Sequence, residues 1–339
     1  MKKRLFALLL AVCLLSGCAL QKAEAKQYTA TFLELFDTVT TVVGKAESEE
    51  AFTEKAQSVR DALLPYHQLF DIYNDYEGIT NLKTVNDHAA EGPVKVDPVV
   101  VDFLLDCKEY YDLTNGKVNV AMGSVLNLWH EARMAGIDDP QNAQLPEKAA
   151  LEDAAGHTSF DSVVIDEAAG TVFFTDPDVK LDAGAVAKGW AAQRVAESAP
   201  EGLLLSVGGN VCATGPKDDR GTPWVVGVNN PDGGNYLHTL NITGGSLVTS
   251  GDYQRYYTVD GKVYHHIIDP ETRMPSDYWR SVTILCEDSG LADALSTALF
   301  LFPQEEGQAI LDKTGAEAMW VDAQGQEFFS PGFSDYIRT

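Results

Sequence analysis

Residues 290–302, GLADALSTALFLF, are apolar on every face of a helix. A chain carrying such a segment must build enough structure to enclose it on all sides. With 339 residues, 45% of them hydrophobic, this chain can form a core of that size, as one large domain or two intimately joined lobes. Within the segment stand Asp293 and Thr297, four positions apart and therefore on one helix face. A carboxylate withdrawn from water is costly unless a cation or good donors meet it. Two hard oxygens converging on one point suit Mg²⁺ or Ca²⁺. Alternatively, Thr297 back-bonds to its own helix while Asp293 pairs with a buried Arg or caps a neighbouring helix. These residues alone leave both readings open.

The opening MKKRLFALLLAVCLLSGCAL reads as a signal peptide over residues 1–17: three basic residues, a short apolar run, then small residues before Cys18. Leu15-Ser16-Gly17-Cys18 has the form of a lipobox, which makes Cys18 a lipidation site; an ordinary cleaved signal is the other reading. Residues 18–29 would be a tether and 30–339 the folded domain. The expected location is the extracytoplasmic face of the cell membrane, with the lipid as the only membrane contact. Loss of Lys2, Lys3 and Arg4 removes three positive charges, taking the formal charge from −25 to about −28. Such acidity repels nucleic acid and anionic headgroups, so neither is an expected partner. Any anionic ligand would need a local cation. Cys107, Cys212 and Cys286 show no C-x-x-C spacing, which gives neither a disulfide framework nor a zinc site.

Along the chain, YTATFLELFDTVTTVVGKA alternates and reads as a strand or hairpin. Helical periodicity marks residues 47–70, 97–114 and 121–136, with a short helix in QLPEKAALEDAAG. From about residue 160 short strands alternate with turns, and Asp260-Gly261 between QRYYTV and KVYHHII is a strong hairpin signal. SVTILCE is a strand, the opening helix follows it, FPQEEGQAILDKTG is another helix, and the chain closes on a hairpin. The fold class is α+β, with mixed or antiparallel sheets flanked by helices.

Four further stretches carry chemistry. KLDAGAVAKGWAAQRV sets Asp182, Gly184 and Lys188 where a strand is expected to become a helix, suited to an anion; a cap by Asp182 with a surface lysine is the alternative. LLLSVGGNV ends a strand in paired glycines, either a close approach to a ligand or a plain turn. VYHHIIDPETRMP places His265 and His266 on opposite sides of a strand, so only one can serve a given pocket. LVTSGDYQRYY offers hydroxyls and aromatics, equally the materials of ordinary sheet packing.

Taken in order, L-D-x-G-A-V-A-K-G, S-V-G-G-N, T-S-G-x-Y, H-I-I-D-P and A-D-A-x-x-T-A behind a lipobox resemble the FAD:protein FMN transferases, the ApbE family. The resemblance runs from about residue 30 to the end. It implies a metal-dependent enzyme that takes FAD as donor, moves FMN onto a Thr or Ser hydroxyl of an extracytoplasmic acceptor protein and releases AMP. It further implies Mg²⁺ held by Asp293, Thr297 and the Ala185 carbonyl, with Ser296 near the ion. Donor contacts would fall on Phe36, Tyr73, Lys117, Val118, Asn119, Asp182, Lys188, His266 and Ile267. In that reading Asp293 and His266 are catalytic, His266 as the base for the acceptor hydroxyl. A Mg²⁺-dependent FAD pyrophosphatase yielding FMN and AMP, and a non-catalytic flavin-binding lipoprotein, are the rivals. The chain departs from the family pattern at Gln193, at Arg273 and in NGKVNVAMG.

Overall fold

The structure, a computed structural model, describes residues 25–339. The expected signal peptide and Cys18 lie outside the described residues. Strands β1 (Lys26–Leu35) and β2 (Thr38–Ala46) form the first hairpin. Strand β1 opens inside the stretch expected to be a tether, because pairing with β2 runs back as far as Lys26 opposite Ala46. The link is Phe36-Asp37, at φ 53° and 50°. Positive φ at both positions matches the right-handed twist of the flanking strands, although neither residue is glycine.

Helix α1 (Glu49–Phe70) starts at Ser48, whose side chain accepts from the Ala51 N–H; Asn81 starts α2 (Leu82–His88) in the same way. Strand β3 (Val94–Lys95) precedes α3 (Pro98–Leu113), where Asp97 caps and proline fills the first turn. Helices α4 (Gly123–Asp138) and α5 (Lys148–Ala154) follow, then β4 (Val163–Asp166) and β5 (Thr171–Phe174), which with β3 form a small sheet in the order β3-β5-β4. Next comes α6 (Ala187–Ser198). No strand leads into it as the sequence suggested. Small residues and Asp182 break the extended run, and only one bridge forms, Lys180 with Met122.

The second half is strand-rich: β6 (Leu203–Val207), β7 (Asn210–Ala213), β8 (Trp224–Val228), β9 (His238–Ile242), β10 (Gly245–Gly251), β11 (Tyr256–Val259), β12 (Lys262–His265) and β13 (Ser281–Cys286). Helices α7 (Ser289–Phe300) and α8 (Gln304–Thr314) and the hairpin β14 (Glu317–Val321) and β15 (Glu327–Phe329) complete it. Gly208-Gly209 is a turn, at φ 61° and 95°, joining β6 to β7; Asp260-Gly261 joins β11 to β12 as its chemistry predicts.

One sheet of eight strands organises the molecule, in the order β1-β2-β6-β7-β10-β13-β14-β15, with every neighbouring pair antiparallel. Its two faces separate by the alternation of the strands. Val282 and Ile284 of β13 and Ala318 and Trp320 of β14 join the core that contains α7. Leu285, Met319 and Val321 point the other way, onto Trp224, Val226 and Leu240 of the β8–β9 pair. Helix α7 is enclosed as its composition demands: Ala292, Leu295, Ala298, Leu299 and Phe300 are fully buried. Each large apolar side chain so buried contributes roughly 1.5–3 kcal/mol.

Candidate active site

Helices α6 and α7 cross closely, and glycine makes the crossing possible. A Cβ at Gly189 would lie 2.3 Å from the Ser289 carbonyl oxygen and 2.5 Å from the Asp293 Cβ. At the crossing each helix closes the other's first turn. The Gly189 N–H donates to Asp293 Oδ2 at 2.8 Å, and the Ser289 N–H donates to Gln193 Oε1 at 2.8 Å. Gln193, one of the departures from the family pattern, thereby supplies a cap.

Asp293 is 4% exposed, and Lys188 Nζ stands 3.6 Å from its Oδ2. Burial pushes its carboxyl above the ordinary value, opposed by the Lys188 charge, the Gly189 N–H and Asn210. Asn210 faces this carboxylate from the β6–β7 turn, yet its buried Nδ2 makes no hydrogen bond of sound geometry. Asp293 therefore does cap a neighbouring helix, one of the two alternatives open in the sequence, but with a single oxygen. Among the described residues no hydrogen bond falls on Asp293 Oδ1 or on Thr297 Oγ1. The back-bond to Asp293 O comes instead from Ser296, at 2.9 Å, which also pairs with Ser250 at 2.8 Å. The Ala185 carbonyl likewise receives no hydrogen bond among the described residues, because the Gly189 N–H one turn on is diverted to Asp293. A buried carboxylate, a hydroxyl and a carbonyl, all hard oxygens with free lone pairs, fit a divalent cation.

Lys188 also donates to the Gly184 carbonyl at 3.0 Å. Asp182 accepts from the Gly184 N–H at 2.8 Å, so it closes a local turn and does not cap α6. Burial pushes its carboxyl up, against the Gly184 N–H and the charges of His130, Arg255 and Lys188.

Of the adjacent histidines, His265 is the satisfied one. Its Nε2 donates to the Ser276 carbonyl at 2.7 Å and its Nδ1 accepts from the Ile267 N–H at 3.2 Å. His266 has no such partners; its Nδ1 is sealed from solvent without a hydrogen bond. Burial, then the charges of Arg255, His265, Arg133 and Lys188, lower its pKa to about 3. The imidazole is neutral at physiological pH. Ile267 is buried in the main core beside it.

Lys117 is ion-paired. Its Nζ pairs with Asp269 Oδ2 at 2.9 Å and with Glu271 Oε1 at 3.0 Å, tying residues 117–119 to the H-I-I-D-P loop. Val118 is buried, and Asn119 bonds the Thr158 carbonyl and the Ala121 N–H. Their backbone is engaged as well: the Lys117 N–H donates to the Thr114 carbonyl, the Val118 N–H to Thr114 Oγ1, and the Asn119 carbonyl accepts from the Met122 N–H. Phe36 occupies the strained first turn, where its N–H donates to His67 Nδ1 at 3.2 Å. Tyr73 is 49% exposed and stacks on His130, with centroids 5.2 Å apart. Arg273, at φ 59°, adopts the left-handed conformation that explains why glycine is usual there. Sequence reasoning missed His130, Arg133 and Arg255, and gave Asn210, though it stands in the S-V-G-G-N motif, no role. The H-x-x-R spacing of His130 and Arg133 on one helix was the only local signal.

A FAD:protein FMN transferase of Klebsiella pneumoniae (strain 342) is 32% identical over 258 residues, covering 72% of this chain and 77% of the relative. One of Treponema pallidum (strain Nichols) is 32% identical over 277 residues, covering 76% and 75%. Among solved structures, the ApbE protein of Thermotoga maritima matches with a TM-score of 0.81 at 29% identity, covering 93% of this chain and 100% of that one. The flavin transferase ApbE of Vibrio cholerae shares the fold, with a TM-score of 0.75 at 22% identity over 92% of this chain and all of that one. Residues 36–320 match the ApbE family from end to end of the site just described, and the chain belongs to that family.

Proposed function

We propose that this chain moves FMN from FAD onto a Thr or Ser hydroxyl of an extracytoplasmic protein, releasing AMP, with Mg²⁺ as its metal. One observation carries the reading most: Asp293, buried in an apolar helix, keeps an unpartnered oxygen beside the free Thr297 hydroxyl. Asp293, Thr297 and the Ala185 carbonyl would hold Mg²⁺, which when bound supplies positive charge against the donor's pyrophosphate. The rest falls to the chain. Lys188 meets the phosphate end; Asp182, Phe36, Tyr73, Ile267 and residues 117–119 position the nucleotide. The acceptor oxygen attacks the phosphorus next to riboflavin, the bond to the AMP phosphate breaks, and the neutral His266 takes the hydroxyl proton.

The same reading puts the enzyme on the outer face of the cell membrane, anchored through a lipid on Cys18. The decisive assay incubates the protein with FAD, Mg²⁺ and candidate secreted proteins and follows AMP, free FMN and labelled protein together. AMP and labelled protein should appear in equal amounts. AMP with free FMN and no label would make the chain a pyrophosphatase. Binding of FAD that ignores EDTA and releases no AMP would make it a flavin-binding lipoprotein.

A further inference from the structure

Among the described residues, two arginines beside the site have no carboxylate within 4.0 Å; the charge of Asp182 acts on both from further away. Arg133 lies on α4, its Nη2 3.2 Å from His130 Nδ1 one turn earlier. Arg255 immediately precedes β11. That strand packs on α4: a Cβ at Gly136 would meet the Tyr257 ring at 2.6 Å, and the Tyr257 hydroxyl donates to the Gln144 carbonyl at 3.2 Å. Arg133 is three residues before Gly136 and shares its helix face. Arg255 closes the turn that leads into β11, two residues before Tyr257. The packing of β11 on α4 brings the two guanidiniums toward the same space, where burial and the Arg255 charge, against those of Tyr73 and Asp182, pull Arg133 below its ordinary value. Both charges reach His266, and that of Arg255 reaches Asp182.

Arg60, Arg194 and Arg280 each have a carboxylate within 4.0 Å. Among the described residues neither Arg133 nor Arg255 has one. The chain holds 50 Asp and Glu against 25 Lys and Arg, so acids to neutralise the pair were plentiful. Like charges held together are unfavourable until an anion meets them.

We propose that Arg133 and Arg255 clamp the phosphate of the nucleotide that departs as a nucleoside monophosphate. The clamp rests on the transfer reading above and extends it. A planar guanidinium presents paired N–H donors that match phosphate oxygens. Arg133, half-buried and placed by His130, is the fixed side; Arg255, exposed, is the adjustable one. As the phosphorus–oxygen bond to the departing phosphate breaks, its electron pair stays on that phosphate, and the two cations offset the added charge without a proton.

The test is titration of AMP alone, in EDTA, against the wild type, Arg133→Gln, Arg255→Gln, the double variant and the two Arg→Lys variants, with riboflavin as control. Each Gln variant should weaken AMP binding about tenfold and flatten its salt dependence. The Lys variants, which keep the charge but lose the paired donors, should fall between the wild type and the Gln variants, and riboflavin should bind all of them alike. Wild-type affinity in the Gln variants, equal loss of AMP and riboflavin, or a wild type that does not bind AMP would each overturn the clamp. A wild type that binds AMP as expected but labels no acceptor leaves the clamp standing and removes the transfer reading.

Discussion

Asp293 serves the fold and, in the proposed reading, the metal, and one substitution separates the two. Asn keeps an oxygen for the Gly189 N–H but loses the charge. Asp293→Asn should retain the cap, melt within a few degrees of the wild type, and lose flavin transfer by at least a hundredfold, about 2.7 kcal/mol of barrier. Full labelling, read by in-gel flavin fluorescence, would take Asp293 out of the chemistry. His266 supports two expectations. His266→Ala should slow transfer while FAD titration stays near wild type; equal losses of rate and binding would argue for a purely orienting role. Its pKa also fixes a pH dependence. The unfolded imidazole takes up a proton near its ordinary value of 6.5, the folded one only near 3, so stability falls as pH drops through that interval. His266→Asn should lose less stability than the wild type between pH 7 and 4.5 in urea titrations. Parallel losses would mean the ring is not sealed.

At the scale of elements, the α6–α7 crossing is the critical joint. Gly189→Ala would drive a Cβ into the Ser289 carbonyl, which is backbone and cannot swing aside. A loss of about 1–3 kcal/mol is expected, seen as a lower urea midpoint with unchanged slope. An unchanged midpoint would mean the helices stand further apart. Much of this element was legible in advance. The apolar run 290–302 demanded enclosure and received it, and the Asp-Gly turn and the long helices followed their own local chemistry. That Asp293 caps a neighbouring helix was one of the open readings, but neither its choice of α6 nor the capping of α7 by Gln193 was legible, because each joins residues about a hundred positions apart. Seven-residue α2 and two-residue β3 are too short to leave a periodic signal. The 180–186 stretch misled because Leu and Val among small residues imitate a strand, while Asp182 folds back on the Gly184 N–H. Arg133 and Arg255 gained meaning only when α4 met β11.

For the whole molecule, the eight-stranded sheet holds α7 against its face and presents the turns of β6–β7 and the H-I-I-D-P loop around it. A lipid on Cys18 would keep this assembly at the membrane; Cys18→Ser should move the protein from the detergent to the aqueous phase on partitioning. Against a net charge of −25, Lys188, Arg133 and Arg255 would, in the proposed reading, supply the local attraction for a dinucleotide. The most direct measurement is the intact mass of a secreted acceptor after incubation with this protein, FAD and Mg²⁺. A single increment equal to FMN, absent with EDTA and absent with Asp293→Asn, is the predicted result. An unmodified acceptor mass while FAD is consumed, or the same increment with Asp293→Asn, would contradict it.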